Sequence, residues 1–262
     1  MQDVRPNDWT ELQRELFEST WNPAIGRFRS NFVYRGMSDA AFDLQTTLMR
    51  LGGDYATIEY HLLRNFKKYA GRESAKEDNL WIWLALAQHH GLPTRLLDWT
   101  YSPYVALHFA TVRLDFYDRD GLIWCVNYVD AHKLLPSRLR QIQQEESANA
   151  FTAEMLVHGA RTLHQLKELS RRPFAVFFEP PSMDERIVNQ FALFSFMSTA
   201  EARLDHWLEK QTRVMTRRII VPKEMKWEIR DKLDQANITE RVLFPGLDGL
   251  SRWLRRHYAP RL

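Results

Sequence analysis

Ala87-Gln88-His89-His90-Gly91-Leu92-Pro93-Thr94-Arg95-Leu96-Leu97-Asp98-Trp99-Thr100-Tyr101-Ser102-Pro103-Tyr104-Val105-Ala106-Leu107-His108-Phe109-Ala110 is the stretch around which the rest of the chain is organised. Residues 80–87 are apolar and read as a helix that stops at Gly91, a residue suited to the left-handed position past a helix end. Pro93 bars continuation. Residues 95–99 are short, mostly apolar and bounded by turn signals, which predicts a buried strand. Ser102-Pro103 then starts a second helix: the serine oxygen caps free N–H groups, and proline at the first position loses no hydrogen bond. Two histidines, an arginine, an aspartate and several hydroxyls are thereby gathered at strand ends and turns, where a rigid frame holds polar groups for use.

Outward from this centre, residues 9–17 set Trp9, Leu12, Leu16 and Phe17 on one helical face. A short strand is predicted over 31–35, a helix over 56–70 and a charged loop over 71–78. Downstream, strands are expected over 122–128, 175–179 and 217–221, and residues 191–197 read as an apolar run. Residues 137–170 are helical in composition, 223–236 form a helix, and 247–257 close the chain. Ser182 and Glu185 have the spacing of a capping box for a short helix through Gln190. The expected fold class is α+β, a single domain.

The 262 residues are long enough for a substantial core, and 45% hydrophobic with 26% charged is ordinary for a globular chain. Thirteen percent aromatic, with nine Trp, implies either a core of large rings or a stacking surface. A net charge of +3 is too mild to imply a polyanion partner by itself. One cysteine excludes an intramolecular disulfide, and Cys125 lies in an apolar run, as an inert buried thiol would. No signal peptide or long apolar span is read, so a cytoplasmic protein without membrane association is expected.

The run from His89 to Thr100, with Val33-Tyr34-Arg35-Gly36 upstream, closely resembles the FRG domain, named after its Phe/Tyr-Arg-Gly signature. The resemblance continues through residues 186–194, Ile219-Ile220-Val221-Pro222 and Leu243-Phe244-Pro245-Gly246-Leu247-Asp248-Gly249, roughly residues 30 to 250. It implies a domain core over 30–250, preceded by a helical extension over 1–29 and followed by a basic end over 251–262.

Familiar catalytic signatures are missing. There is no His-Glu-x-x-His or paired cysteine motif, so no metal is expected, and no Gly-x-Ser-x-Gly, Gly-x-Gly-x-x-Gly or P-loop. The order of parts is instead similar to that of ADP-ribosyltransferases, which hold NAD in a cleft of a split sheet. On that resemblance Arg35, Asp98, Glu179 and Glu185 are the candidate catalytic residues, with NAD as a substrate. Tyr34, Arg35, Gly36, His89, His90, Thr94, Arg95, Trp99, Thr100 and Gln190 are the candidate NAD-binding residues. The residue types suit the chemistry: a carboxylate stabilises charge developing on ribose, an arginine grips diphosphate with a planar fork, and glycine admits a ligand to the backbone.

Each candidate has a structural alternative. Arg35 and Arg95 could pair with Asp98, the histidines could bond terminal carbonyls, and Trp99 could be core. Glu185 could be a cap, Glu179 a surface group, and Gln190 a backbone ligand. No unmistakable late Gln-x-Glu or Glu-x-Glu pair supplies the acid.

The expectation is an NAD-dependent ADP-ribosyltransferase-like enzyme, a stress or phage-defence toxin with an antitoxin partner. The alternative is a non-catalytic nucleic-acid- or protein-binding module. Arg213, Arg217, Arg218, Arg252, Arg255 and Arg256, interleaved with Trp207, Trp227, Trp253 and Tyr258, place RNA or DNA ahead of protein as the target.

Overall fold

The computed structural model describes residues 2–71 and 78–260; most of the loop expected over 71–78, and Arg261 of the basic end, lie outside them. Among the described residues the strands are β1 (Gln2–Val4), β2 (Trp21–Asn22), β3 (Arg27–Phe28), β4 (Phe32–Met37), β5 (Leu97–Thr100), β6 (Gly121–Asn127), β7 (Phe151–Thr152), β8 (Ala175–Glu179), β9 (Ala192–Met197) and β10 (Thr216–Val221). The helices are α1 (Trp9–Phe17), α2 (Tyr55–Ala70), α3 (Leu80–His89), α4 (Pro103–Thr111), α5 (Tyr128–His132), α6 (Ser137–Glu145) and α7 (Ala153–Gly159). They continue with α8 (Leu163–Glu168), α9 (Glu185–Asn189), α10 (Leu204–Glu209), α11 (Lys226–Gln235), α12 (Glu240–Leu243) and α13 (Leu247–His257).

Eight strands form one mixed sheet in the order β1-β10-β6-β4-β5-β9-β8-β7. Side chains alternate between its faces, so register assigns each residue a side. Val33, Met37, Leu97, Trp99, Leu193 and Phe177 share one face with Leu204 and Leu208 of α10. The other face carries two separate cores. Tyr34, Ile123 and Ile219 pack under α1, α4 and α11; Phe194, Phe196 and Phe178 pack under α2 and α3. Between those helical layers, β4 and β5 share a single ladder pair, Tyr34 with Thr100, whereas β4 and β6 share six. The sheet parts at this junction, and the candidate site lies there.

Local chemistry explains the elements around it. Asp8 caps α1 by accepting from the Glu11 N–H, and Leu12 and Leu16 bury its inner face. A helix apolar on every side must be buried, and Trp81 through Ala87 of α3 are. Gln88 and His89 are its first polar residues, so they mark where it emerges. Gly91 adopts φ 80°, and Ser102 caps α4 at the Val105 N–H.

Several expectations are corrected. The stretch 1–29 is more than a helical extension, because β1 pairs in parallel with β10 and widens the sheet. Residues 137–170 break into three short helices around β7, which pairs with β8. The cap before α9 is Asp184, which accepts from the Ile187 N–H; Ser182 lies outside it.

His132 ties α5 to the sheet on the face that carries Phe177 and Trp99. Its Nε2 accepts from the Phe177 N–H at 2.9 Å and its Nδ1 meets the Asn149 carbonyl at 2.8 Å, which fixes a neutral tautomer. Burial pushes its pKa down to about 4, against the Asn149 hydrogen bond. The unfolded chain therefore binds the proton first. Stability is complete above the ordinary value near 6.5 and falls as pH drops toward about 4, by about 3 kcal/mol. Histidine NMR should show that the His132 ring does not titrate above roughly pH 5; a transition near 6.5 would contradict this.

Candidate functional site

The opening between β4 and β5 leads into a cleft of about 250 Å³, lined by Tyr34, Arg35, Gly36, Asp98, Trp99, Thr100 and Phe194 of the sheet, Gln88 and His89 of α3, Phe109 of α4, and Arg186 and Gln190. Arg35 leaves β4 on the opposite face from Tyr34, yet reaches across the parted strands. Its Nη1 donates to the Asp98 carbonyl at 2.5 Å and lies 3.7 Å from Asp98 Oδ2. Its Nε is buried with no partner. Burial pushes the guanidinium pKa down, opposed by Asp98 and reinforced by Arg50, but an arginine keeps its charge.

Asp98 is positioned by its own relay. Gln88 Nε2 donates to Asp98 Oδ2 at 2.9 Å, and Thr94 Oγ1 donates to Gln88 Oε1 at 2.6 Å. The buried Thr94 thus stands behind the site as a support for Gln88. Arg95 is also removed from the site. Its Nε donates to Glu59 Oε1 at 2.7 Å, a second bond joins Nη2 to Glu59 Oε2, and Nη1 donates to the carbonyls of Met197 and Ser198 at 3.3 Å. It pairs with Glu59 of α2 and not with Asp98.

The remaining candidates divide. Gly36 lines the cleft, but its missing side chain serves helix packing: a Cβ there would lie 1.7 Å from the Ala106 carbonyl oxygen. The Tyr34 ring is core; its hydroxyl donates to the Leu16 carbonyl at 3.2 Å, and burial pushes its pKa up to about 12. Trp99 borders the cleft, but it is buried, with its indole donating to Ser195 Oγ at 2.8 Å and packing edge-on against Phe177, so it offers no open stacking platform. Thr100 Oγ1 donates to the Gln190 carbonyl at 2.7 Å, and Gln190 Nε2 donates to the Leu243 carbonyl at 2.9 Å. His89 faces the cleft, while His90 is exposed beyond the helix end and meets its neighbour's ring edge-on.

Neither glutamate lines the cleft. Glu179 accepts from the Tyr101 hydroxyl at 2.8 Å. Glu185 lines an adjoining open groove of about 600 Å³ with Asp184, Phe244, Asp248 and Arg252. Arg186 lines both spaces, its guanidinium 5.0 Å from the Phe244 ring centre. Asp98 is therefore the carboxylate of the cleft lining. Gln88, Arg186 and Asp184 were not anticipated as site residues; the first polar position of α3 was the available signal for Gln88.

The arginine surface proposed from sequence is dismantled at two positions. Arg256 is buried and holds both Glu240 and Asp234 at 2.6–2.8 Å, clamping α13 to α11 and α12. Arg217 is buried against Glu15. Trp207 donates to the Pro173 carbonyl, and Trp253 stacks on His257. Among the described residues no cluster of three or more metal-binding side chains occurs, and no helix is long and apolar enough to cross a membrane.

Residues 30–118 match the family model of the FRG domain. The match spans about a third of the chain, from β4 past α4; it covers Arg35, Gln88, His89 and Asp98 and stops before α9. No curated protein and no solved structure matches the chain.

Proposed function

We propose that the cleft binds NAD as a substrate and that the protein transfers the ADP-ribosyl group to a macromolecular acceptor. The observation that carries this reading is Arg35, laid across the parted strands with a buried Nε unused, beside a carboxylate fixed from behind by Gln88. NAD supplies a nicotinamide–ribose bond whose cleavage leaves positive charge on the sugar. Asp98 is the preset carboxylate that opposes this charge, and such preset groups need no reorganisation at the reacting moment. Arg35 and Arg186 offer planar forks for anionic oxygens. The cleft alone, at about 250 Å³, is small for a dinucleotide, but the 600 Å³ groove that meets it at Arg186 brings the space into the range of ligand sites. We favour nucleic acid over protein as the acceptor because Arg252 lines the groove and Arg255 and Tyr258 are exposed nearby in sequence.

Calorimetric titration with NAD tests the reading. Arg35→Ala should weaken binding by about 2–3 kcal/mol, roughly 30- to 150-fold, and Arg35→Lys should not restore it. Wild-type protein that neither binds NAD nor releases nicotinamide from it would sink the proposal.

A further inference from the structure

We infer that His89, oriented by Asp184, is the base that takes the proton from the attacking nucleophile. The inference rests on the NAD reading of the cleft and assigns the half of the reaction that Arg35 and Asp98 leave open.

His89 is the last residue of α3, and its side chain is 13% exposed where it lines the cleft. Its Nε2 lies 2.6 Å from Asp184 Oδ2. The other oxygen of Asp184 accepts from the Ile187 N–H at 3.1 Å, so the backbone of α9 fixes the carboxylate. A neutral imidazole facing a carboxylate carries its proton on that nitrogen. The lone pair is then on Nδ1, which has no protein partner among the described residues. The groups acting on the ring are Asp184, which caps α9, Arg186 of α9 and the adjoining His90, while Arg35 and Asp98 face the same cleft from β4 and β5. Burial lowers the pKa of the ring, Asp184 opposes this, and Arg186 and His90 lower it further. At neutral pH the ring is an unprotonated base.

Asp98 is poorly suited to the same task, since one of its oxygens is taken by Gln88 and it sits beside the Arg35 guanidinium. In the balanced step, a nucleophile O–H oxygen bonds to the ribose carbon. The carbon–nitrogen bond to nicotinamide breaks, and its electron pair leaves with the nitrogen, which becomes neutral. The nucleophile's proton goes to His89 Nδ1, and the resulting imidazolium is paired with Asp184 until solvent removes the proton. One proton is released per turnover, as the charges require.

NAD hydrolysis, with water as nucleophile, is the assay, read as nicotinamide release across pH. Wild type should lose kcat on the acid side with an apparent pKa below about 6.5. His89→Ala should lose about 10²- to 10⁴-fold in kcat, keep NAD affinity within about threefold, lose the acid limb and regain turnover with added imidazole. Asp184→Asn retains an oxygen for the Ile187 N–H and so keeps the cap; it should cost roughly 10- to 100-fold in kcat and move the acid limb lower. If His89→Ala does not fold, His89→Gln keeps a donor for Asp184 without a titrating nitrogen and is read in the same way. A His89 variant with wild-type kcat, or one that retains the acid limb while losing only thermal stability, overturns the base and leaves the NAD reading standing. A wild-type protein that neither binds NAD nor releases nicotinamide overturns both.

Discussion

Gly36→Ala is expected to remove more than about 4 kcal/mol of stability, most of what a marginally stable fold has. A Cβ at position 36 would lie 1.7 Å from the Ala106 carbonyl oxygen, 2.7 Å from its carbon and 2.8 Å from the Ala110 nitrogen. All three are backbone atoms of α4, so no rotamer change relieves the clash. The helix would have to lift off β4, and Val105 through His108, Ala110 and Thr111 are all buried. Ala106 and Ala110, one turn apart and fully buried, are the small residues that allow the approach. Overpacking costs about 1–3 kcal/mol where side chains can adjust. With rigid backbone on both sides, a cost above about 4 kcal/mol is expected against a total stability of about 5–15 kcal/mol. Far-UV circular dichroism and urea unfolding read the outcome. A cooperative transition within about 1 kcal/mol of wild type would show that the strand and helix can separate freely. The glycine of the Tyr-Arg-Gly signature is thus a packing requirement that brings α4 down beside the cleft.

That revision shows which parts of the site were legible in the sequence. Ser102-Pro103 announced α4, and the apolar spacing of α1 announced its buried face, because caps and periodicity are local. Arg35, His89 and Asp98 stood out as polar groups at the ends of apolar runs, and the structure brings all three to the cleft. Asp184 was obscured because Ser182 and Glu185 satisfied the same capping pattern two residues out of register. The partners of Arg256, Asp234 and Glu240, lie 22 and 16 residues away, so its burial had no local sign. Strand β1 is three residues long and pairs with residues 217–219, beyond the reach of any periodicity argument.

Arg95 provides the sharpest separation of support from chemistry. It is 7% exposed and Glu59 3%, and the two form a bidentate pair joining α2 to the loop before β5. A buried pair adds little net stability when complete, but removing one member leaves an uncompensated charge, at about 3–5 kcal/mol. Arg95→Met should cost that much in urea unfolding, and somewhat more than Glu59→Leu, because it also strands the Met197 and Ser198 carbonyls. Combining the two should cost less than their sum by at least about 1 kcal/mol, since the second change removes the charge left by the first. Additive losses would mean that the pair contributes nothing as a pair. At temperatures where Arg95→Met remains folded, NAD affinity should match that of wild type. Binding lost in proportion to the Arg35 variants would return Arg95 to the ligand and place Glu59 in the site with it.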